Sequence, residues 1–559
     1  MLRKFTSYRN FKRTLKTPVN IISSPVADIN IPNNILLPEY LLEKINKWTD
    51  TDKVAVECIE TKRKYTYPQI RKSSLSLAHF LQKSLKLKEK YGVAILLPNL
   101  PEYPIILLAS MQAGLRISTI NSNYTKDEVK RQLIDSKAKV LFANAERDKE
   151  LRSICDDLRI QLIALKTHSN VTLSNGTINL FDCITSSSKN LEEIYPTSVT
   201  SDDVVILPFS SGTTGLPKGV QLTHYNLVAN LMQTSAKEFD IVTEDTDETI
   251  LAFLPFFHLY GFMLVLLHGL TRGAKLVTFP KFTSQHFIDG LRLYRPTVFH
   301  CTPPVVHLMT TNPHVKLPDD LQSLRTILSG AAPLSEADVE RFKEVTKGKV
   351  DILQSYGMTE VSPLATIQSK VLKGGIKIGG GGFLVPNTQA KFISIANPNQ
   401  VLGVKENGEL FLRGPQVMKG YLDNPEATKA TITDDGWLRT GDVGHYDEDG
   451  HIFITDRLKE LIKVQGFPVA PAELEGLIRD HPSVEDVAVI GVKHEKLGEA
   501  PKAFVVKRKN VQVKPEDIQE FIKAHVVKYK HLAGGVTFVD DIPKTPSGKI
   551  LRKELKKLI

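Results

Sequence analysis

An α/β fold is what the sequence predicts: a large N-terminal domain of parallel-type sheets with a small β-rich unit, followed by a small α+β domain. Three observations predict it. Short apolar runs alternate with helix-patterned stretches through most of the chain, as in successive βαβ units. Several of these runs end in loops of small or polar residues, and such folds take ligands at the carboxyl ends of their strands. At 559 residues, the chain is also too long for one core, so two or three domains are expected.

Taken in order, residues 1–35 read as a basic leader and linker. Residues 38–48 predict the first docked helix, 64–67 a strand and 68–83 a helix. Residues 91–98 form a buried strand followed by a helix over 101–113. Further strands are expected at 140–143, 162–165 and 204–209, and the last runs into Ser210-Ser211-Gly212-Thr213-Thr214-Gly215-Leu216-Pro217-Lys218-Gly219-Val220. Thr223 is placed to cap the helix after that loop. Strands at 250–255, 275–279, 298–300, 326–328 and 351–353 come next. Three of them deliver Phe256-Phe257-His258-Leu259-Tyr260, Ser329-Gly330-Ala331-Ala332 and Gln354-Ser355-Tyr356-Gly357-Met358-Thr359-Glu360. Residues 376–455 alternate with turn signals and read as the β-rich unit. Beyond residue 456, helices over 472–480 and 515–526 flank strands at 484–492 and 503–507. The expected domains are 36–455 and 456–559.

Composition narrows the function. The hydrophobic share of 42% is that of an ordinary globular chain, and no apolar run is long enough to span a bilayer. Four scattered cysteines suggest neither a zinc site nor a disulfide framework. The net charge of +10 sits mostly at the ends: Arg3, Lys4, Arg9, Lys12, Arg13 and Lys16 precede the first acidic residue, Asp28, and Lys544, Lys549, Arg552, Lys553, Lys556 and Lys557 crowd the other terminus. No basic–aromatic interleaving points to nucleic acid. The acid-free start has the composition of a mitochondrial transit peptide, with a basic tail on a cytoplasmic protein as the alternative. The terminal Lys557-Leu558-Ile559 is not the Ser-Lys-Leu peroxisomal address.

The loop from Ser210 to Val220 suits an anion. Its glycines allow close backbone approach, its hydroxyls donate, and Lys218 brings a positive charge. It lacks the Gly-Lys-Ser/Thr of the common nucleotide loop. The string resembles the phosphate loop of the acyl-adenylate-forming enzymes, which include acyl-CoA synthetases, coumarate–CoA ligases and luciferases. Further blocks follow in the family's order: Tyr356 to Glu360, Gly408 to Gly414, Tyr421 to Pro425, Gly436 to Gly444, Asp456 to Glu475 and Pro543 to Lys549. Pro255-Phe256-Phe257-His258-Leu259-Tyr260 resembles the coumarate-ligase and luciferase-like branch.

The resemblance implies an ATP-dependent acid–CoA ligase. It would join an acid to AMP, release pyrophosphate, then pass the acyl group to the thiol of coenzyme A. It also implies site residues. Ser210, Ser211, Gly212, Thr213, Thr214, Gly215 and Lys218 would hold the outgoing phosphates, with Gln354, Ser355, Tyr356 and Thr359 at the nucleotide. Glu360 would be the Mg²⁺ carboxylate, Asp442 the ribose acceptor, and Arg457 a second ribose or phosphate contact. Lys549 would bridge acid and α-phosphate, with His258 orienting the acid or gating thiol entry. Tyr260, Ala331, Lys459 and Lys463 would meet the acyl-adenylate, and Lys281, Gln465 and Gly466 the CoA. A hinge near 456–459 would let the C-terminal domain rotate between half-reactions.

Two positions depart from the family pattern. Pro468 stands where relatives usually carry Gln, and Ser355 replaces a usual Gly before Tyr356. The apolar loops around His258, Ala331 and Ser355 suggest an uncharged aromatic or medium- to long-chain acid. The rivals are an adenylating enzyme with a non-CoA acceptor and a non-catalytic binding protein on the same fold.

Overall fold

The computed structural model describes residues 20–167, 170–185, 191–210, 217–316, 319–465, 467–509, 511–545 and 548–559. The basic start to residue 19, Ser211 to Gly215, Gly466, Pro546 and Ser547 lie outside the described residues.

Two nine-stranded sheets form the body of the N-terminal domain. In the first, Gly92–Leu96 runs parallel to Arg116–Thr119 on one side and Ala138–Asn144 on the other. Gln161–Leu165 and Val204–Ile206 extend the parallel set. In the second, Val54–Cys58, Lys275–Thr278, Thr249–Ala252, Val298–Cys301, Thr326–Ser329 and Asp351–Gly357 are parallel neighbours in that order. Helix Tyr103–Gln112 is buried at every position and belongs to a core shared by both sheets. A helix apolar all round has no other place to go.

The β-rich unit is a five-stranded sheet of Ile22–Ser23, Gln389–Ile393, Gly408–Arg413, Leu438–Tyr446 and Ile452–Arg457. Part of the stretch read as leader and linker belongs to it. Ile22 pairs with Ala390, and Asn387 bonds to Ile29 and Asp28 through side chain and backbone. Two strand residues are too few to carry a period-2 signal.

The C-terminal domain has its own core under a sheet built on Val484–His494 and Gly498–Lys507, with helices Pro471–Arg479 and Pro515–His525. The chain enters it from Ile452–Arg457 through residues 458–461. Among the described residues, no helix is long and apolar enough to cross a membrane.

The expected strand, loop and helix around Ser210 differ in one respect. Phe209–Ser210 pairs antiparallel with Lys218–Thr223, so a second strand stands between Ser210 and the helix. The alternating Gly219-Val220-Gln221-Leu222 makes that strand. Helix His224–Thr234 begins after it, capped as expected by Thr223, whose hydroxyl accepts from the Asn226 N–H at 3.1 Å.

Candidate active site

The carboxyl ends of the second sheet, the β-rich unit and a C-terminal loop meet at a cavity of ≈ 440 Å³. Ala331, Gln354, Ser355, Tyr356, Asp442, Arg457 and Lys549 line it. Asp442 and Arg457 are cross-strand partners, with Arg457 Nε 3.4 Å from Asp442 Oδ1. The Tyr356 hydroxyl donates to Asp442 Oδ2 at 2.6 Å, and the Asp442 N–H donates to Thr440 Oγ1. Burial pushes the Asp442 carboxyl up, and Arg457 pulls it back. Its remaining lone pairs suit hydroxyl donors such as a ribose edge.

A second cluster surrounds Glu360, on the turn Thr359–Val361. The Tyr421 hydroxyl donates to Glu360 Oε1 at 3.0 Å, and the Ser210 hydroxyl lies 3.5 Å from the same oxygen. The Lys218 ammonium sits 5.0 Å over the Tyr421 ring. The register brings these groups together: Ser210 pairs with Lys218, and Tyr421 with Val220. Burial pushes Glu360 up, so a cation beside it would hold it ionised. Among the described residues, no group of three or more His, Cys, Asp or Glu forms a metal cage. One buried carboxylate at a phosphate-loop mouth fits Mg²⁺, which is commonly held by one or two carboxylates plus substrate phosphates.

Buried amides fix both walls. On helix His224–Thr234, Asn226 Nδ2 donates to the carbonyls of Pro415 and Val417, ahead of Tyr421. Asn230 exchanges two bonds with the backbone of Leu364, just past Glu360. Asn99 donates to the carbonyls of Ala252 and Leu254 and accepts from the Phe256 N–H, which sets the loop carrying His258. A Cβ at Gly261 would lie 2.4 Å from the Pro255 carbonyl oxygen, so only glycine closes that turn. The residue types alone gave no signal for Asn99, Asn226 or Asn230.

His258 is neutral: burial first, and the charge of Lys549 second, lower its pKa to about 4. Its Nδ1 accepts from the Tyr260 N–H at 3.3 Å, which leaves the proton on Nε2. The Tyr260 hydroxyl donates to the Leu328 carbonyl. A Cβ on Gly330 would meet Ser355 Oγ at 3.0 Å and the Tyr260 ring at 3.3 Å, so these side chains converge over that glycine. Lys549 is pushed down to about 8 by burial and Arg457, against the pull of Glu460 and Asp442. Gly548, at φ +81°, lies against Thr302 and Pro304 and carries Lys549 up to the N-terminal domain.

Not every expected residue joins this cavity. Lys459, Lys463 and Gln465 are exposed on the C-terminal domain, and Lys281 is exposed beyond strand Lys275–Thr278. Tyr421 joins the site without having been singled out as a site residue.

The sequence profile of the AMP-binding enzyme family matches residues 43–422, and that of the AMP-binding enzyme C-terminal domain matches residues 473–549. The chain is 36% identical to 4-coumarate–CoA ligase 1 of Arabidopsis thaliana over 96% of its own length and 95% of the relative's. It is 37% identical to probable 4-coumarate–CoA ligase 1 of Dictyostelium discoideum, over 84% and 86% respectively. The ATP-bound crystal structure of MatB from Rhodopseudomonas palustris is similar with a TM-score of 0.83 and 26% identity, covering 94% of this chain and 99% of that one. With its own site residues on the same scaffold, the chain belongs to the AMP-binding enzyme family and, within it, to the adenylate-forming acid–thiol ligases.

Proposed function

We propose that the protein activates an uncharged aromatic or medium- to long-chain carboxylic acid with ATP and transfers the acyl group to coenzyme A. The observation that carries this reading is the convergence of Lys549 with Tyr356, Asp442 and Arg457 on one cavity.

In the first half-reaction the acid's carboxylate oxygen attacks the α-phosphorus and pyrophosphate leaves. Two anions must approach, so the protein's task is to offset their repulsion and hold them in line. Lys549 bridges them as a cation. Asp442 holds the ribose hydroxyls, Arg457 adds a nearby charge, and Thr359 donates to phosphate. Ser210 and Lys218, with residues 211–215 between them, keep the departing pyrophosphate. Mg²⁺ bound at Glu360 would neutralise phosphate charge, and Tyr421 would orient that carboxylate. Neutral His258 donates from Nε2 to the acid. In the second half-reaction the CoA thiolate attacks the acyl carbonyl and AMP leaves. The C-terminal domain would turn about residues 456–459 between the two, which would bring Lys459, Lys463, Gln465 and Gly466 into use, with Lys281 receiving CoA phosphate.

The acid's tail would run past Tyr260, Met263, Ala331 and Ser355. His258, the only titratable base in these loops, is neutral and offers no counter-charge for a second carboxylate. The test is AMP release with ATP and Mg²⁺ over a panel of cinnamic and short- to long-chain fatty acids, with and without CoA. Release that needs both a particular acid and CoA supports the reading. Acid-dependent pyrophosphate exchange without any response to CoA would move the acceptor elsewhere. No acid-dependent turnover, in protein that binds ATP, would overturn it.

A further inference from the structure

In the loop that carries Lys549, Thr545, Gly548 and Lys549 are bonded to one another, yet these bonds do not say where the loop sits. Thr545 N–H donates to the Lys549 carbonyl at 2.8 Å, and Gly548 N–H to the Thr545 carbonyl at 2.8 Å. The Lys549 N–H donates to Thr545 Oγ1, and Lys544 and Ile550 form a bridge. These bonds join the described residues on either side of the loop. Its placement comes from charges at its two ends. Ahead of it, Lys544 pairs with Asp486 on strand Val484–His494. Behind it, Arg552 opens the short helix Arg552–Leu555.

Arg552 spans two separate elements. Its Nη2 lies 2.9 Å from Glu475 Oε1 on helix Pro471–Arg479, and its Nε 3.3 Å from Glu460 Oε2 in the link that follows strand Ile452–Arg457. Glu475 Oε1 also accepts from the Val489 N–H at 2.7 Å, so that anchor is itself fixed. The Arg552 and Glu475 side chains are 16% and 8% exposed. A pair this buried is held far more firmly than a surface one, and losing one partner leaves a charge with no compensation. The guanidinium therefore bonds the segment three residues beyond Lys549 to the first helix of the domain, and pairs it by charge alone with Glu460 in the interdomain link.

We propose that Arg552, anchored by Glu475 and Glu460, is the positioning residue that holds the Lys549 ammonium at the cavity for adenylation. This rests on the reading of Lys549 as the adenylation cation. The clamp lies wholly within the C-terminal domain, so it acts only when that domain presents Lys549. The charged and titratable groups facing Lys549 are Arg457 and Asp442 on the strands, Glu460 in the link, Arg552 on its own segment and His258 from the N-terminal domain. Arg552 is one of the two cations that push Lys549 down, so its removal frees Lys549 to titrate higher.

The experiment compares Arg552→Gln, Arg552→Lys and the double variant Arg552→Gln with Glu475→Gln, which leaves no unpaired buried carboxylate at position 475. Adenylation is read as acid-dependent ATP–pyrophosphate exchange with the best acid among cinnamate, 4-coumarate, hexanoate and palmitate. The second half-reaction is read as CoA thioester formation from that acid's synthetic adenylate. Arg552→Gln and the double variant should lose about 10- to 100-fold in exchange kcat, as misplacing a reacting group by about an ångström does, while ATP KM and the thioester step hold within about threefold. Arg552→Lys should recover part of the loss, and the alkaline limb of exchange should move to higher pH in both glutamine variants. Equal loss in both half-reactions, unchanged exchange, or an unmoved alkaline limb overturns the proposal. Lys549→Ala is run alongside: intact exchange in that variant would instead remove the reading of Lys549 on which the proposal stands.

Discussion

Asp442 and Lys549 face the same cavity, and the chain holds them by different means. Asp442 is embedded in a five-stranded sheet, with a cross-strand arginine, a tyrosine hydroxyl and a threonine hydroxyl on it. Glu360 is as firmly set, between Tyr421 and the amide-pinned backbone beyond it. Lys549 instead sits in a segment bonded back to Thr545, whose placement depends on ion pairs to other elements of the C-terminal domain. The N-terminal wall is built to bind, and apart from Arg457 at the proposed hinge its bonds run between groups of the N-terminal domain. In the proposed mechanism the C-terminal loop delivers one cation and is then withdrawn. Hinged domains that assemble different catalytic sets use such a division.

The largest effect should come from removing the delivered charge. Lys549→Ala should lower acid-dependent pyrophosphate exchange by about 100- to 1,000-fold, as loss of a preorganised electrostatic contact does. Thioester formation from supplied acyl-AMP should persist. If both half-reactions fall together, the division between fixed wall and delivered cation is wrong.

The fixed wall predicts a different signature. Tyr421→Phe removes the hydroxyl that orients Glu360 while leaving its ring under Lys218. The Mg²⁺ concentration for half-maximal exchange should rise by about 10- to 100-fold, with little change in the acid's KM. An unchanged Mg²⁺ requirement would separate Glu360 from the metal.

Titration sharpens the contrast further. Lys549 must be protonated to bridge two anions, and burial with Arg457 lowers it to about 8. The cation is therefore present below that pH and lost above it, so kcat/KM for exchange should fall about tenfold per unit above pH ~8. Lys549→Arg, which keeps its charge at any such pH, should be slower but lose this limb. A limb that survives in the arginine variant would belong to another group. His258 titrates near 4 and adds nothing in this range.

Much of this arrangement was legible in the sequence because strand ends announce themselves. The apolar runs before Ser210, His258, Ser329 and Gln354 each end where a small or polar loop begins, and the structure brings Ala331 and Gln354 to one cavity and Ser210 to Glu360. The strand Lys218–Thr223 was not legible. Its glycine and lysine sit in a string dominated by turn residues, and only pairing with Phe209–Ser210 and Gly420–Tyr421 makes it a strand. Asn226, Asn230 and Gln233 share one face of helix His224–Thr234. They are buried, because that face meets backbone carbonyls of the site walls and not water. Polar side chains that satisfy irregular backbone are indistinguishable by type from solvated ones. Tyr421 was hidden for the same reason: its role exists only through register.

The smallest effect tests the shape of the acyl pocket. Ser355 and Tyr260 converge over Gly330, a position with no side chain of its own. Ser355→Gly removes a hydroxymethyl group from that floor without touching Asp442, Glu360 or Lys549. Discrimination by a pocket contact of this size is about tenfold. The variant should therefore shift kcat/KM among acids by about that factor in favour of tails with a bulkier far end, such as 3-methoxylated over unsubstituted cinnamates. Rates with the best acid should stay near the parent's, because the phosphate-side groups are held by the sheet and not by this wall. A uniform fall across all acids would mean that Ser355 supports Tyr356 beside it, and hence the ribose contact at Asp442, rather than the tail. The same variant thus tells whether the fixed wall separates its two ligands or couples them.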